Sequence, residues 1–151
     1  MKIEVRRVLV ATDFSDTSNV ALRWAVALVE ACRGSLHVLH VLETIAGAEP
    51  LTLEIDKRAP LGRAIEVKAW EELKKLFSEQ EQTRLRVELA VEWGLPVEEI
   101  LRYAKAHDVD LIAMGAHGRR GVGDVLLGTV AEGVVREATA PVLTVRAAPT
   151  S

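Results

Sequence analysis

Only one cysteine, Cys32, occurs in the 151 residues. No internal disulfide can form, and a reducing compartment fits. Cys32 falls in a helical pattern, where a thiol is expected to serve as a small buried apolar group. An excess of one charge sign is also missing. The 19 Lys+Arg against 22 Asp+Glu leave a formal net charge of −3, which gives no electrostatic support for broad nucleic-acid binding. No apolar run approaches a membrane span. The start, MKIEVRRVLVATD, carries charges inside its apolar stretch and no small-residue cleavage site, unlike a signal peptide. These absences predict a cytoplasmic chain with neither nucleic-acid nor membrane partners.

Several chemical signatures are lacking as well. There is no G-x-x-x-x-G-K-[ST], so the chain is not a P-loop protein. The glycines at Gly121 and Gly123 lack the third member of a dinucleotide fingerprint and do not directly follow a strand, which disfavours hydride transfer. His37, His40 and His107 do not combine with Cys32 or carboxylates at metal-ligand spacing. No Ser-His-Asp set stands out, so no residue is assigned a catalytic or metal-binding role.

What is present is an alternation of two periods. Near-continuous apolar runs at Val8–Ala11, Leu36–Leu42, Leu111–Met114 and Val142–Val145 suit strands buried on both faces of a parallel sheet. In RLRVELAVEW, Leu85, Val87, Leu89 and Val91 recur at every second position, which predicts an edge strand with one wet face. Between these runs lie helical stripes. Val20, Trp24, Ala27, Leu28 and Ala31 form the first, with Ser15 or Asp16 as cap and Gly34 as stop. Ile65, Ala69, Leu73 and Leu76 form the second. Val97, Ile100, Leu101 and Ala104 form the third, behind Pro96. Val130, Val134 and Ala138 form the last, ended by Pro141. Trp24 and Trp70 are expected as core or interface anchors, and Trp93 as a cover for the sheet end. The long connection from Glu43 to Pro60 suits a mobile binding loop or lid.

The expected fold is α/β, one domain over residues 1–151: an open, doubly wound five-stranded parallel sheet, Rossmann-like, with helices on both faces. With the third strand at an edge, the order 3-2-1-4-5 satisfies the constraint. Strands 1 and 4 then lie side by side where the winding reverses, and ligands of open α/β sheets bind at the carboxyl ends of strands at such a point. Two polar stretches meet there, ATDFS after strand 1 and GAHGRRGVGDVLLGT after strand 4.

The second stretch combines glycines that allow close backbone approach, a following helix N-terminus and two adjacent arginines, all suited to a phosphate. Each feature also has a plainer reading. Gly115 and Gly118 could shape a turn, Thr129 could be only an N-cap, and paired arginines in a loop are usually solvated. Asp13 could accept hydrogen bonds from a ribose or base, or cap the first helix. Val41 and Met114 are core residues by pattern alone.

The spacing Gly115, Gly118, Gly128, Thr129 reads G-x2-G-x9-G-[ST]. With VLVATDFSDTSNVAL, VLHV, EWGLPVEEIL, DVDLIAMGAHG and LGTVAEGVV…APVLTVR around it, the chain resembles the ATP-binding branch of the universal stress protein family over nearly its whole length. That resemblance implies the adenine nucleotide alpha hydrolase-like form of the fold, and ATP as ligand with Mg2+ bridging its phosphates. Asp13 and Val41 would contact adenine or ribose. Met114 and Gly115 would line the nucleoside pocket with His117 beside it, and Gly118, Gly128, Thr129 and Val130 would hold the phosphates. Arg119 could add a charge-assisted bond. It further implies a nucleotide-dependent regulatory module of the stress response, working as a homodimer. The final strand, Pro141–Arg146, offers an apolar edge for that pairing. No general base for attack on the γ-phosphate can be identified, so any ATPase activity is expected to be slow or partner-dependent. Two alternatives stay open: an ATP hydrolase or adenylyl-transfer enzyme using His117 or Asp13, and a structural stress-protective dimer with a vestigial pocket.

Overall fold

A computed structural model of the chain describes residues 1–43, 60–117 and 127–147. The proposed lid lies outside the described residues except for its ends, Glu43 and Pro60, as do Gly118, Arg119, Arg120, Gly121 and Gly123. Strand β1 (Arg7–Ala11) leads to α1 (Asp16–Cys32), β2 (Ser35–Glu43), α2 (Pro60–Lys74), the short α3 (Glu79–Arg84) and β3 (Glu88–Gly94). Helix α4 (Pro96–Ala106), β4 (Leu111–Gly115), α5 (Thr129–Glu137) and β5 (Val142–Val145) follow. The five strands pair in parallel in the order β3-β2-β1-β4-β5, the expected order, with β3 at an edge.

Alternation along the strands divides the core into two layers. Val8, Val10, Leu36 and Val38 pack with Leu22, Ala25 and Val29 of α1 and with Leu73 on one face. Leu9, Leu39, Ile112 and Met114 pack with Ile100 and Tyr103 of α4 and Val134 of α5 on the other.

Four local readings are corrected. Helix α1 buries Ser18, Ala21, Leu22, Ala25 and Val29, not the stripe through Trp24, which is 56% exposed. The small side chains let the helix lie close on the sheet, and the large indole is turned outward. Cys32, at the end of that helix, is exposed rather than buried. The helix stops through Arg33, which takes the left-handed position (φ 56). Gly34 is needed for space instead, because a Cβ there would run into the Arg6 carbonyl oxygen. Strand β3 begins at Glu88. Leu85 closes α3 through its N–H to the Glu81 carbonyl (2.9 Å), and Arg86 is left-handed (φ 50). The period-two pattern therefore spans a helix end and a strand start. Helix α3 itself carries a sequence signal that the periodicity hid. Ser78 and Glu81 form a reciprocal capping box, with bonds of 3.1 and 2.9 Å.

Trp70 packs against the first core layer. Trp93 donates its indole N–H to Glu66 (3.2 Å) and so ties the end of β3 to α2.

Candidate functional site

A crevice of about 850 Å3 opens at the carboxyl ends of β1 and β4, the position that a winding reversal leaves uncovered. Asp13, Val41, Met114, Gly115, His117, Gly128, Thr129 and Val130 all line it. These eight are drawn from four separate segments, so only the fold brings them together. Gly118 and Arg119 lie outside the described residues.

The β1 side is built by a tight polar turn. Thr12, one residue past β1, still donates its N–H to the Leu39 carbonyl (2.9 Å). Its hydroxyl receives the Phe14 N–H (3.0 Å) and lies 3.1 Å from the Ser18 hydroxyl. Phe14 is left-handed (φ 63), a conformation worth on the order of 1–3 kcal/mol of strain for a non-glycine residue. Asp13 Oδ1 accepts the Ser15 N–H (3.0 Å). The N-cap of α1 is Ser15, whose hydroxyl accepts the Ser18 N–H (3.2 Å). Asp13 therefore does not cap α1. It closes the turn in front of the cap and lines the crevice.

The β4 side explains two glycines and a threonine. At Gly115 a Cβ would sit 2.8 Å from Thr17 Cγ2 and 3.2 Å from the Ser18 nitrogen, so the first turn of α1 lies flush against the end of β4. Beyond it, Ala116 donates its N–H to the Val145 carbonyl (2.8 Å), and Gly128 donates to the Ala116 carbonyl (2.6 Å). This pair of bonds pins the start of α5 over the end of β4. Gly128 is the N-cap of α5 and has no side chain to cap with. Thr129 is the first residue of the helix rather than its cap, a correction to the capping reading, and its side chain is exposed. Gly128 gives the first turn of α5 no side-chain cap, and the residues of that turn line the crevice, where the helix dipole favours an anion.

Between these walls Met114 and Val41 are both core and lining. Met114 is 5% exposed and Val41 packs on the same apolar layer. His40 and Thr12, which pattern reasoning passed over, also line the crevice. Two histidines, His37 and His40, interrupt the run Leu36–Leu42, and the position of His40 nearer its carboxyl end is the signal that could have drawn attention to it.

The amino ends of the same strands are closed. Asp110 Oδ2 accepts the backbone N–H groups of Arg6 (2.8 Å) and Arg7 (2.9 Å). His37, 4% exposed, lies 2.7 Å through Nδ1 from the Tyr103 hydroxyl and 3.4 Å from Glu88 Oε2. The His107 ring stacks on Tyr103 at 3.8 Å. Burial holds the His37 imidazole below its ordinary value of 6.5, against the pull of Glu88 and helped by His107 and Arg7. Burial, with the Glu88 and Glu92 charges, pushes the Tyr103 phenol up to about 12.

Among the described residues no helix is long and apolar enough to cross a membrane, and no group of three or more His, Cys, Asp or Glu could hold a metal ion.

The chain has close relatives of known name. It is 36% identical over 143 residues to a universal stress protein of Thermus aquaticus, covering 93% of this chain and 98% of that protein. It is 28% identical over 160 residues to universal stress protein MJ0577 of Methanocaldococcus jannaschii, covering 97% and 98%. The solved structure of MJ0577 superposes with a TM-score of 0.76 at 29% identity, over 98% of this chain and 100% of that one. Two more distant structures share the fold. A universal stress protein in complex with cAMP has a TM-score of 0.60 at 23% identity, covering 94% and 97%. The protein from Archaeoglobus fulgidus in complex with dAMP has 0.59 at 22%, covering 95% and 99%. The sequence profile of the Universal stress protein family matches residues 4–146, and with that match over nearly its full length the chain belongs to this family.

Proposed function

We propose that the crevice binds ATP and that the chain works as a nucleotide-dependent regulatory module of the stress response. The observation that carries this reading is the joint placement of an acidic turn and an uncapped helix start on opposite walls of one crevice. Asp13 lies on the β1 side, with Val41 and Met114 as the apolar slot between. Gly128, Thr129 and Val130 lie on the β4 side, where backbone N–H groups suit phosphate oxygens. The cAMP and dAMP complexes of family members with this fold support an adenine nucleotide as the ligand class. Mg2+ keeps most of its waters and takes few protein ligands when it bridges phosphates. One domain spans the chain, and Gly118 and Arg119 are proposed as further phosphate contacts. Calorimetry with ATP tests the binding: Gly118→Val is expected to abolish it in a folded protein, and unchanged affinity would reject the phosphate cradle.

The chain acts as a homodimer through β5. This strand ends the sheet and offers Val142, Leu143 and Thr144, each only half-buried, at an open edge. Ile112 and Ala116 donate to the carbonyls of Pro141 and Val145. Odd-numbered residues therefore bond inward to β4, and Thr144 presents its backbone outward. Thr144→Pro removes an outward donor and spares the inner ladder. Sedimentation is expected to show a monomer for this variant and a dimer for the unmodified chain; a persistent dimer in the folded variant overturns the interface.

A further inference from the structure

His40 stands on β2 between Leu39 and Val41 and lines the crevice with both of them. Its Nδ1 lies 2.8 Å from the Thr12 carbonyl oxygen. A carbonyl can only accept, so Nδ1 carries the proton whether the ring is neutral or charged, and the neutral ring is the Nδ1–H tautomer. The same ring packs on Phe14, with centroids 4.5 Å apart at 37°. Asp13 lies between the two residues that His40 grips.

The turn needs such a grip. Phe14 occupies a left-handed conformation (φ 63) that a bulky residue keeps only where its surroundings over-determine it. The Phe14 N–H bond to Thr12 and the Ser15 N–H bond to Asp13 close the turn on itself. They do not locate it relative to the rest of the crevice. The Thr12 N–H bond to the Leu39 carbonyl (2.9 Å) ties the first residue of the turn to β2, and His40 adds a second tie from the same strand, reaching the Thr12 carbonyl and, further along the turn, the Phe14 ring.

We propose that His40 is a positioning residue for the crevice: from β2 it holds the Thr12 carbonyl and the Phe14 ring, and so fixes the turn that presents the Asp13 carboxylate to the ligand. The proposal rests on the reading that the crevice takes ATP. It also implies that the grip is the same in both charge states of His40, since Nδ1–H donates in each.

Three variants of the whole chain separate the donor from the ring. His40→Leu keeps bulk and removes the donor. His40→Asn places an amide N–H where Nδ1 stands and removes the ring. Phe14→Leu removes the aromatic partner. Calorimetry is expected to give about tenfold weaker ATP binding for His40→Leu, the consequence of one lost part-buried hydrogen bond. His40→Asn is expected to return affinity to within about threefold, because the donor is restored. Phe14→Leu is expected to fall between them. Unfolding midpoints are read alongside. If affinity simply follows stability through the series, with His40→Asn as weak as His40→Leu, the role is structural only and the proposal is overturned. Heteronuclear NMR of the nucleotide-free protein supplies a second arm. The expected result is an Nδ1–H tautomer at His40 and faster exchange of the Phe14 and Ser15 amides in His40→Leu. An Nε2–H tautomer, or unchanged exchange, overturns the proposal without reference to any ligand. Should the unmodified chain fail to bind ATP, the ATP reading falls, and the NMR arm alone decides whether His40 holds the turn.

Discussion

The two ends of the parallel sheet are made from the same strands and have opposite characters. At the amino end the backbone is satisfied by side chains that close it: Asp110 takes the N–H groups of Arg6 and Arg7, and Tyr103 covers His37. At the carboxyl end the polar groups are spent on shaping a turn, and the first turn of α5 has no side-chain cap. Strands β1 and β4 are neighbours whose connections leave in opposite directions, which opens the crevice above their carboxyl ends. The amino ends receive the incoming chain and are packed by it. Stability is therefore expected to concentrate at one end and ligand recognition at the other, and substitutions at matched positions can break or sharpen that division.

The largest effect is expected at Gly34. A Cβ there would meet the backbone of Arg6, which no rotamer can move aside. Gly34→Ala should cost about 3 kcal/mol in urea unfolding, the upper range for overpacking, and leave ATP affinity unchanged in the folded fraction. A loss of affinity would show that the amino end is not independent of the crevice.

Gly115→Ala is the matched change at the carboxyl end. Its Cβ would press first on the Thr17 methyl group, which can turn, and then on the His117 carbonyl oxygen and the Ser18 backbone nitrogen, which cannot. The stability cost should be smaller, about 1–2 kcal/mol, and ATP binding should weaken with it because the Ser15–Ser18 turn shifts. Retained affinity in calorimetry would contradict the close packing of α1 on β4.

Thr129→Ala should come next. As the first residue of α5 rather than its cap, Thr129 is not required for helix capping, so its removal should change stability by under about 0.5 kcal/mol, as for other surface sites. ATP should bind several-fold more weakly and AMP hardly less, since the residue stands at the expected phosphate wall. Equal losses for the two nucleotides would move Thr129 out of that wall.

The smallest effect is a pH dependence at the closed end. The folded state resists protonating His37, whereas the unfolded chain takes the proton near 6.5. The contribution of His37 is thus complete above that value and declines as the pH falls below it, until the folded imidazole also titrates. Urea unfolding between pH 7.5 and about 5 is expected to show this slope in the unmodified chain. The slope should flatten in His37→Gln, whose amide can pair with the Tyr103 hydroxyl as donor or acceptor. An identical slope in both would assign it to other groups.

Periodicity and turn chemistry carried the fold far. The apolar runs, the single alternating run and the punctuation by Gly34, Pro96 and Pro141 were enough for a parallel sheet in the order 3-2-1-4-5, and hence for the place of the crevice. Eight of the residues read as site candidates line that crevice because strand ends at a winding reversal are a matter of topology, which patterns encode. What the patterns could not settle is which face of α1 lies down and where β3 begins. Trp24 fits the helical stripe as well as Ala21 and Ala25 do, and only the close approach of the helix to the sheet selects the small residues. Leu85 and Val87 fit the strand period, but the capping box of α3 claims the chain first.

The sequence by itself determined the alternation of strands and helices, their order in the sheet and the end at which a ligand can enter, because each depends on periods and turns written within a few residues. Tertiary structure alone decided that Arg33 rather than Gly34 ends α1, that Gly128 rather than Thr129 caps α5, and that His40 reaches Thr12 across the strand boundary. The reason is physical: these outcomes turn on clearances and hydrogen bonds between atoms far apart in the chain, such as the Gly34 position against the Arg6 carbonyl, and no local pattern records a distance that exists only after the sheet has formed.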